Sequence, residues 1–132
     1  MNPLGLPHAY PFLLLDRVVA LDPGRAVVAI KNVTHTDPLL DATGRLPPVF
    51  LAEVMTQAAG VAVGTPADGS PPPPGMLVRI DRFRVRGAVT AGDQLWVYVR
   101  IVRTFGATVL ARGVVDIAGR RCAAAELVLA IR

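Results

Sequence analysis

The sequence predicts a single α+β domain in which a curved antiparallel β-sheet wraps around one long helix. Three observations support this prediction. The chain has 132 residues, which is enough for one hydrophobic core. One helical segment is apolar on almost every side, and such a helix is buried from all directions. The other regular segments are strand-like, so a curved sheet is the structure left to cover the helix.

Two apolar, β-branched runs begin the predicted sheet, at Arg17 to Leu21 and at Arg25 to Val33. Asp22-Pro23-Gly24 joins them and has the composition of a tight turn, so the two runs predict a β-hairpin. A loop-like stretch follows from Asp37 to Pro48.

The helix is predicted from Val49 to Gly64, where the sequence reads VFLAEVMTQAAGVAVG. Proline is tolerated at the start of a helix, and Pro47-Pro48 lies there. Glycine is common where a helix ends, and Gly64 lies there. Glu53 is the one charged residue in this otherwise apolar segment.

A proline-rich stretch, Gly64 to Gly75, follows the helix and holds four consecutive prolines without N–H donors. We therefore predict an exposed connector within one domain that spans residues 1–132. Short turns that contain glycine separate the remaining strand-like runs, which predicts an antiparallel meander. These runs are Met76 to Val89, Gln94 to Thr104, Ala107 to Ile117 and Arg120 to Ile131.

Composition excludes several classes of protein. With 52% hydrophobic and 18% charged residues, the chain is not intrinsically disordered. The lone Cys122 excludes a disulfide framework and indicates a reducing compartment. Because no apolar stretch approaches the ~18 residues of a membrane span and no basic leader is present, we expect a cytoplasmic protein with no membrane partner.

The net charge of +4 favours an acidic partner. Arginine supplies 13 of the 14 basic residues, and Lys31 is the only lysine. Aromatic residues make up 5% of the chain and are not interleaved with the arginines, which argues against nucleic acid as the partner.

Four blocks, in the right order, resemble the FabZ-type 3-hydroxyacyl-acyl-carrier-protein dehydratases. They are Leu6 to Val18, then Ile30 to Thr34 with Asp37 to Leu40, then Glu53 to Gly60, and finally Ile80 to Arg84 with Gly92 to Leu95. The match spans Leu6 to about Ile131 and implies the hotdog fold, a β-sheet wrapped around one helix. The short loop with Gly44-Arg45-Leu46-Pro47 looks closer to the FabZ-like branch associated with aryl-polyene biosynthesis.

The resemblance implies a homodimer or a higher assembly of dimers, with thioester tunnels at the subunit interface. It also implies a substrate carried on the phosphopantetheine of an acyl carrier protein or on CoA, with no metal or redox cofactor. In the family, a histidine moves a proton at the α-carbon and a carboxylate on the central helix handles the leaving hydroxyl. Glu53 falls on the position of that carboxylate, and Gln57, one turn on, is expected to support it.

Backbone N–H groups at the start of the central helix polarise the thioester carbonyl in the family. Here Pro48 replaces the family glycine and has no N–H, whereas Val49 keeps its amide. We expect Pro48, Val49 and Phe50 to contact the substrate. Losing one such donor typically lowers the rate by about 100- to 1,000-fold.

The family histidine is absent from the loop between Asp37 and the helix. Two residues are candidates for its role. His8 could reach the tunnel mouth, or it could instead hold the N-terminal segment in place. Asp41 could accept a proton or orient a water molecule, or it could only form an Asx-turn. His35 is expected at the surface, and two histidines without suitably spaced carboxylates predict no metal site.

Arg82, Arg84 and Arg86 alternate along one predicted strand and so share one face. They are candidates for contact with an acidic carrier protein or a pantetheine phosphate, the alternative being a solvated sheet face.

Three functions stay open. The chain could be a dehydratase-like protein with altered or reduced activity, an acyl-thioester hydrolase in which Glu53 positions water, or a non-catalytic subunit that pairs with a dehydratase paralogue.

Overall fold

The structure is a computed structural model that describes residues 13–64 and 75–131. It contains one helix and six strands within these ranges, namely β1 Arg17–Asp22, β2 Ala26–Asn32, α1 Val49–Gly64, β3 Gly75–Val85, β4 Gln94–Phe105, β5 Thr108–Ile117 and β6 Arg120–Ile131. The strands form one antiparallel sheet in the order β1-β2-β4-β5-β6-β3. The predicted α+β class, with a sheet around one helix, is confirmed.

The predicted hairpin is also confirmed, because β1 and β2 pair in antiparallel fashion. Its turn depends on Gly24, which has a φ of +76°, a left-handed value that glycine adopts without a steric penalty. The Gly24 N–H donates a hydrogen bond of 2.9 Å to the carbonyl of Ala62 near the end of α1. This bond ties the hairpin to the helix that the sheet covers.

The predicted four-strand meander is wrong in its first member. Strands β4, β5 and β6 form a meander, but β3 pairs with β6, and β4 pairs with β2. The third strand also ends at Val85 rather than at Val89. Residues 86–93 leave the sheet and connect β3, at one edge, to β4, which pairs with β2. Within this connection, the carbonyl of Val89 accepts a hydrogen bond of 2.8 Å from the Leu46 N–H.

The predicted proline-rich connector lies outside the described residues, apart from its ends at Gly64 and Gly75.

The helix packs into the concave face of the sheet through half of its residues. These buried residues are Leu51, Val54, Met55, Gln57, Ala58, Ala59, Val61 and Ala62. The prediction of burial from every side is wrong along one stripe, which includes Val49, Glu53, Thr56 and Gly60 and is only partly covered. We call this the open stripe of α1.

Within the described residues, no helix is long and apolar enough to cross a membrane.

Gly113, at the centre of β5, allows the sheet to approach the helix closely. A Cβ atom at this position would lie 2.9 Å from the Met55 sulfur and 3.1 Å from two of its carbons. We therefore expect Gly113→Ala to lower the free energy of unfolding, measured by urea denaturation, by at least about 1 kcal/mol. Met55→Ala should relieve the clash, so the double variant should lose less stability than the two single losses combined. Strictly additive losses would contradict this account.

Candidate active site

A pocket of about 180 Å³ opens beside the first turns of α1. Its walls come from three separate parts of the chain, namely the segment before β1, the loop after β2 and the helix itself. Four of its lining residues are apolar and the fifth carries a carboxyl; they are Leu14, Leu39, Val49, Phe50 and Glu53. An apolar pocket with one polar group suits a ligand that has an apolar chain and a single reactive centre.

The Glu53 carboxyl is half-buried on the open stripe of α1 and is held by Gln57. The two residues are four apart, so their side chains lie on the same face of the helix. The Gln57 side-chain amide donates a hydrogen bond of 3.0 Å to Glu53 Oε1. Gln57 itself is 1% exposed, and its Oε1 accepts a hydrogen bond of 2.8 Å from the Leu14 N–H. A buried amide therefore joins the catalytic candidate to the pocket wall.

The start of α1 has a backbone N–H without a described acceptor, on a residue that lines the pocket. The N–H groups of Phe50 and Leu51 already bond to the carbonyls of Pro47 and Pro48, at 3.0 and 2.9 Å. Proline has no N–H of its own. No described residue accepts a hydrogen bond from the Val49 N–H, and this group lies at the positive end of the helix dipole. Val49 is 63% exposed and lines the pocket, whereas Pro48 is exposed beside it.

Asp41 organises its own loop. Its Oδ1 accepts hydrogen bonds from the Thr43 hydroxyl at 2.6 Å, the Thr43 N–H at 2.9 Å and the Arg45 N–H at 3.0 Å. The pKa of Asp41 lies below its ordinary value of 3.8. The largest cause is the hydrogen bond from the Thr43 hydroxyl, and the next is the bond from the Arg45 N–H. The charged form therefore stabilises the loop at neutral pH, and this contribution is lost as the pH falls through the lowered pKa. The contacts favour the Asx-turn interpretation over a catalytic role.

Of the two histidines, His35 lies within the described residues and does not line the pocket. His8 lies outside the described residues, so its predicted role as a substitute base stays a prediction. His35 is exposed in a turn, as expected. In the described part of the chain, no cluster of three or more His, Cys, Asp or Glu side chains could hold a metal ion.

The three arginines predicted to contact a carrier protein are all exposed. Exposure alternates along the segment as predicted, but the segment departs from one regular strand in two places. The strand bulges between Asp81 and Arg84, and Arg82 takes a left-handed φ of +52° within this bulge. Arg86 lies beyond the end of β3. Of the three, Arg82 is near an acidic group, with its guanidinium 3.7 Å from the Glu126 carboxylate.

Two pocket walls were not among the predicted site residues. Leu14 precedes the first strand, and Leu39 lies in a loop, where sequence periodicity does not apply. A signal was present for Leu39, since Leu39-Leu40 is an apolar pair in an otherwise polar stretch. Apolar residues in a loop indicate contact with the core or with a ligand.

Comparisons with known proteins identify the family of the chain. The ApeP-like family, described as ApeP dehydratase, matches residues 4–130. The 3-hydroxyacyl-[acyl-carrier-protein] dehydratase FabZ of Shewanella oneidensis is 35% identical in an alignment of 134 positions that covers 96% of this chain and 87% of the relative. The FabZ of Caldanaerobacter subterraneus subsp. tengcongensis is 36% identical over 126 aligned positions, which cover 92% of this chain and 89% of that relative.

Among solved structures, the dehydratase heterocomplex ApeI:P from Xenorhabdus doucetiae contains a similar chain. It superposes with a TM-score of 0.87 at 23% identity, covering 100% of this chain and 92% of that one. At this identity the likeness establishes the fold, which is the hotdog fold. The family match extends over nearly the whole chain, and the FabZ relatives are covered almost completely. The chain therefore belongs to the ApeP-like dehydratase family.

Proposed function

We propose that this protein is a subunit of a (3R)-hydroxyacyl-thioester dehydratase in fatty-acid or polyketide-type lipid metabolism, with Glu53 as its acid. The observation that carries the proposal is the position of the Glu53 carboxyl, in an apolar pocket and fixed by the buried Gln57. Membership of the ApeP-like dehydratase family supports the same reaction class.

In the proposed complex, the acyl chain contacts the apolar walls formed by Leu14, Leu39 and Phe50. The thioester oxygen accepts a hydrogen bond from the Val49 N–H, which lies at the positive end of the helix dipole. This donor stabilises the negative charge that develops on the oxygen when the α-proton leaves. Glu53 then lies beside the 3-hydroxyl group.

Water loss is an elimination that needs a base and an acid but no oxidant or reductant. A base removes a proton from C2, and the electron pair of that C–H bond forms the C2–C3 double bond. The C3–O bond breaks as the Glu53 carboxyl gives its proton to the departing hydroxyl, which leaves as water. Solvent returns the proton from the base to Glu53. Because no electrons are exchanged with a second reagent, the proposal includes no cofactor beyond the phosphopantetheine of a carrier protein or of CoA.

The base is proposed to come from a second, paralogous subunit. Among the residues that line the described pocket, Glu53 is the one with an ionisable side chain, and it serves as the acid. A chain with a similar fold is part of the dehydratase heterocomplex ApeI:P, which supports a shared site. The homo-oligomer alone is then expected to be slow, and His8 of the same chain is the alternative base.

The proposal is tested with a 3-hydroxyacyl carrier protein as substrate. Formation of the conjugated enoyl thioester is followed by its ultraviolet absorbance, and thiol release is followed in parallel with a thiol reagent. We expect enoyl formation that depends on Glu53 and rises when a paralogous dehydratase subunit is co-expressed. Thiol release without any enoyl product would instead assign the pocket to thioester hydrolysis. If neither product forms, even in the presence of the paralogue, the proposal is refuted.

The carrier-protein contact has a separate test at Arg84. This side chain is exposed on β3 and forms no ion pair with any described residue. Arg84→Glu should raise the KM for an acidic carrier-protein substrate by about 3- to 10-fold, because it reverses a charge that attracts this partner. The KM for a pantetheine thioester without the carrier protein should not change. Arg103→Glu, the same change at an exposed arginine on β4, is the control, and an equal effect there would contradict a specific contact.

A further inference from the structure

The only lysine of the chain forms an ion pair in the protein interior. Lys31 lies on β2 opposite Leu95, a fully buried residue of β4. Its ammonium nitrogen is 3.1 Å from Asp37 Oδ2, and the two side chains are 7% and 8% exposed. Removing two charges from water is costly, and an apolar pair in the same place is often at least as stable. The presence of the pair therefore calls for a reason other than stability alone.

The second carboxylate oxygen of Asp37 holds the pocket wall. Oδ1 accepts a hydrogen bond of 3.0 Å from the Leu39 N–H. The backbone of Asp37 takes part in two consecutive turns: its N–H donates to the carbonyl of Thr34 at 3.1 Å, and its carbonyl accepts from the N–H of Leu40 at 3.2 Å, which closes the turn that contains Leu39. One carboxylate thus links the interior lysine to the backbone of Leu39, whose side chain lines the pocket with Glu53.

This linkage fixes a residue that no regular element holds. Leu39 lies in the loop between β2 and α1, and loop backbones are usually more mobile than strands and helices. The ammonium of Lys31 is anchored in the sheet and orients the Asp37 carboxylate, since a buried charge pair has few alternative geometries. The carboxylate in turn restricts the backbone of Leu39.

We propose that the Lys31–Asp37 ion pair is a positioning device that holds Leu39 as a fixed wall of the acyl pocket and thereby determines which acyl chain lengths the pocket accepts. This inference rests on the proposed function, because it takes the pocket to be the acyl site. Lys31 and Asp37 act through Leu39 and do not touch the substrate.

The first test follows the Leu39 amide by NMR hydrogen exchange. The variant Lys31→Met/Asp37→Leu removes both charges together, so that no unpaired charge stays buried and the chain can fold. We expect the Leu39 N–H to exchange at least tenfold faster in this variant. The Leu46 N–H, which bonds to the carbonyl of Val89 in a neighbouring loop, is the internal control and should not change. Equal protection of Leu39 in both proteins would overturn the inference.

The second test measures chain-length selection by binding of saturated acyl-pantetheine thioesters, which do not react. We take the ratio of the Kd values for a long and a short acyl chain. Leu39→Ala and the apolar double variant should each change this ratio about 3- to 10-fold, and the triple variant should show no larger change than either. Leu40→Ala, the same truncation at the neighbouring leucine, should leave the ratio unchanged. If the change in the Kd ratio of the triple variant equals the product of the changes in Leu39→Ala and in the double variant, the ion pair and Leu39 act independently and the inference is wrong.

These outcomes are separate from those that test the proposed function. A protein that binds acyl thioesters but forms no enoyl product would refute the dehydratase proposal and leave the binding ratio as a test of the ion pair. Suppose instead that the protein dehydrates 3-hydroxyacyl thioesters through Glu53, but that the double variant leaves the ratio of the long-chain and short-chain Kd values unchanged. This result would refute the positioning role alone.

Discussion

Replacing Glu53 with glutamine is expected to lower kcat for dehydration by about 100- to 10,000-fold, because a positioned acid contributes this much to a proton transfer. Glutamine has nearly the same shape and can still accept the hydrogen bond from Gln57, but it has no proton to give to a departing hydroxyl. Binding of saturated acyl thioesters should be retained. The rate of enoyl formation by the wild type and the variant, each assembled with its partner subunit, measures the effect.

Glu126→Gln is the matched control, because the chain has two glutamates and the second is on β6, away from the described pocket walls. Its carboxylate is 3.7 Å from the guanidinium of Arg82, which is largely exposed, so the loss of this long ion pair should have a small effect. Enoyl formation by Glu126→Gln should therefore match the wild type. Full activity in Glu53→Gln would remove this residue from the mechanism.

Gln57→Leu is expected to impair both stability and activity. It leaves the buried Leu14 N–H without its acceptor, so the free energy of unfolding should fall by about 1–3 kcal/mol. It also removes the amide that holds the Glu53 carboxyl, and displacement of a reacting group by about 1 Å can slow a reaction about 100-fold. Urea denaturation and the dehydration assay measure the two effects.

Gln94→Leu provides the same chemical change at an exposed position. Gln94 bonds to Asn32 and Trp96 at the surface of the sheet, where substitutions usually change stability by about 0.5 kcal/mol or less. If Gln57→Leu were as harmless as this control, the hydrogen bonds at Leu14 and Glu53 would not have the structural and positioning roles assigned to them here.

Much of the site could be predicted from the sequence because its central contact is local. Glu53 and Gln57 are one helical turn apart in a segment that is apolar elsewhere, so spacing alone places them side by side. The helix bounds and the β1–β2 hairpin follow from similarly local signals, namely apolar runs, a double proline and glycines at the turns. Comparable reasoning identified both alternatives for Asp41, of which the contacts favour the turn.

The strand order and the pocket walls could not be predicted in this way. The pairing of β3 with β6 brings together segments that are far apart in the chain, and alternation within each strand says nothing about its neighbour. The bulge at Arg82 shifts the register inside β3, which no periodic pattern indicates. Leu39 lines the pocket because a buried charge pair holds its loop, and the partner of that pair lies on another element.

The double proline before α1 also affects the thermodynamics of ligand binding. Pro47 and Pro48 restrict the backbone of the unfolded chain, so less conformational entropy is lost when this corner of the protein becomes ordered. Their carbonyls accept hydrogen bonds from the N–H groups of Phe50 and Leu51, which makes the start of the helix rigid before any ligand binds. A thioester that binds the Val49 amide therefore meets a preorganised donor, and little of its binding energy is consumed in ordering the helix start.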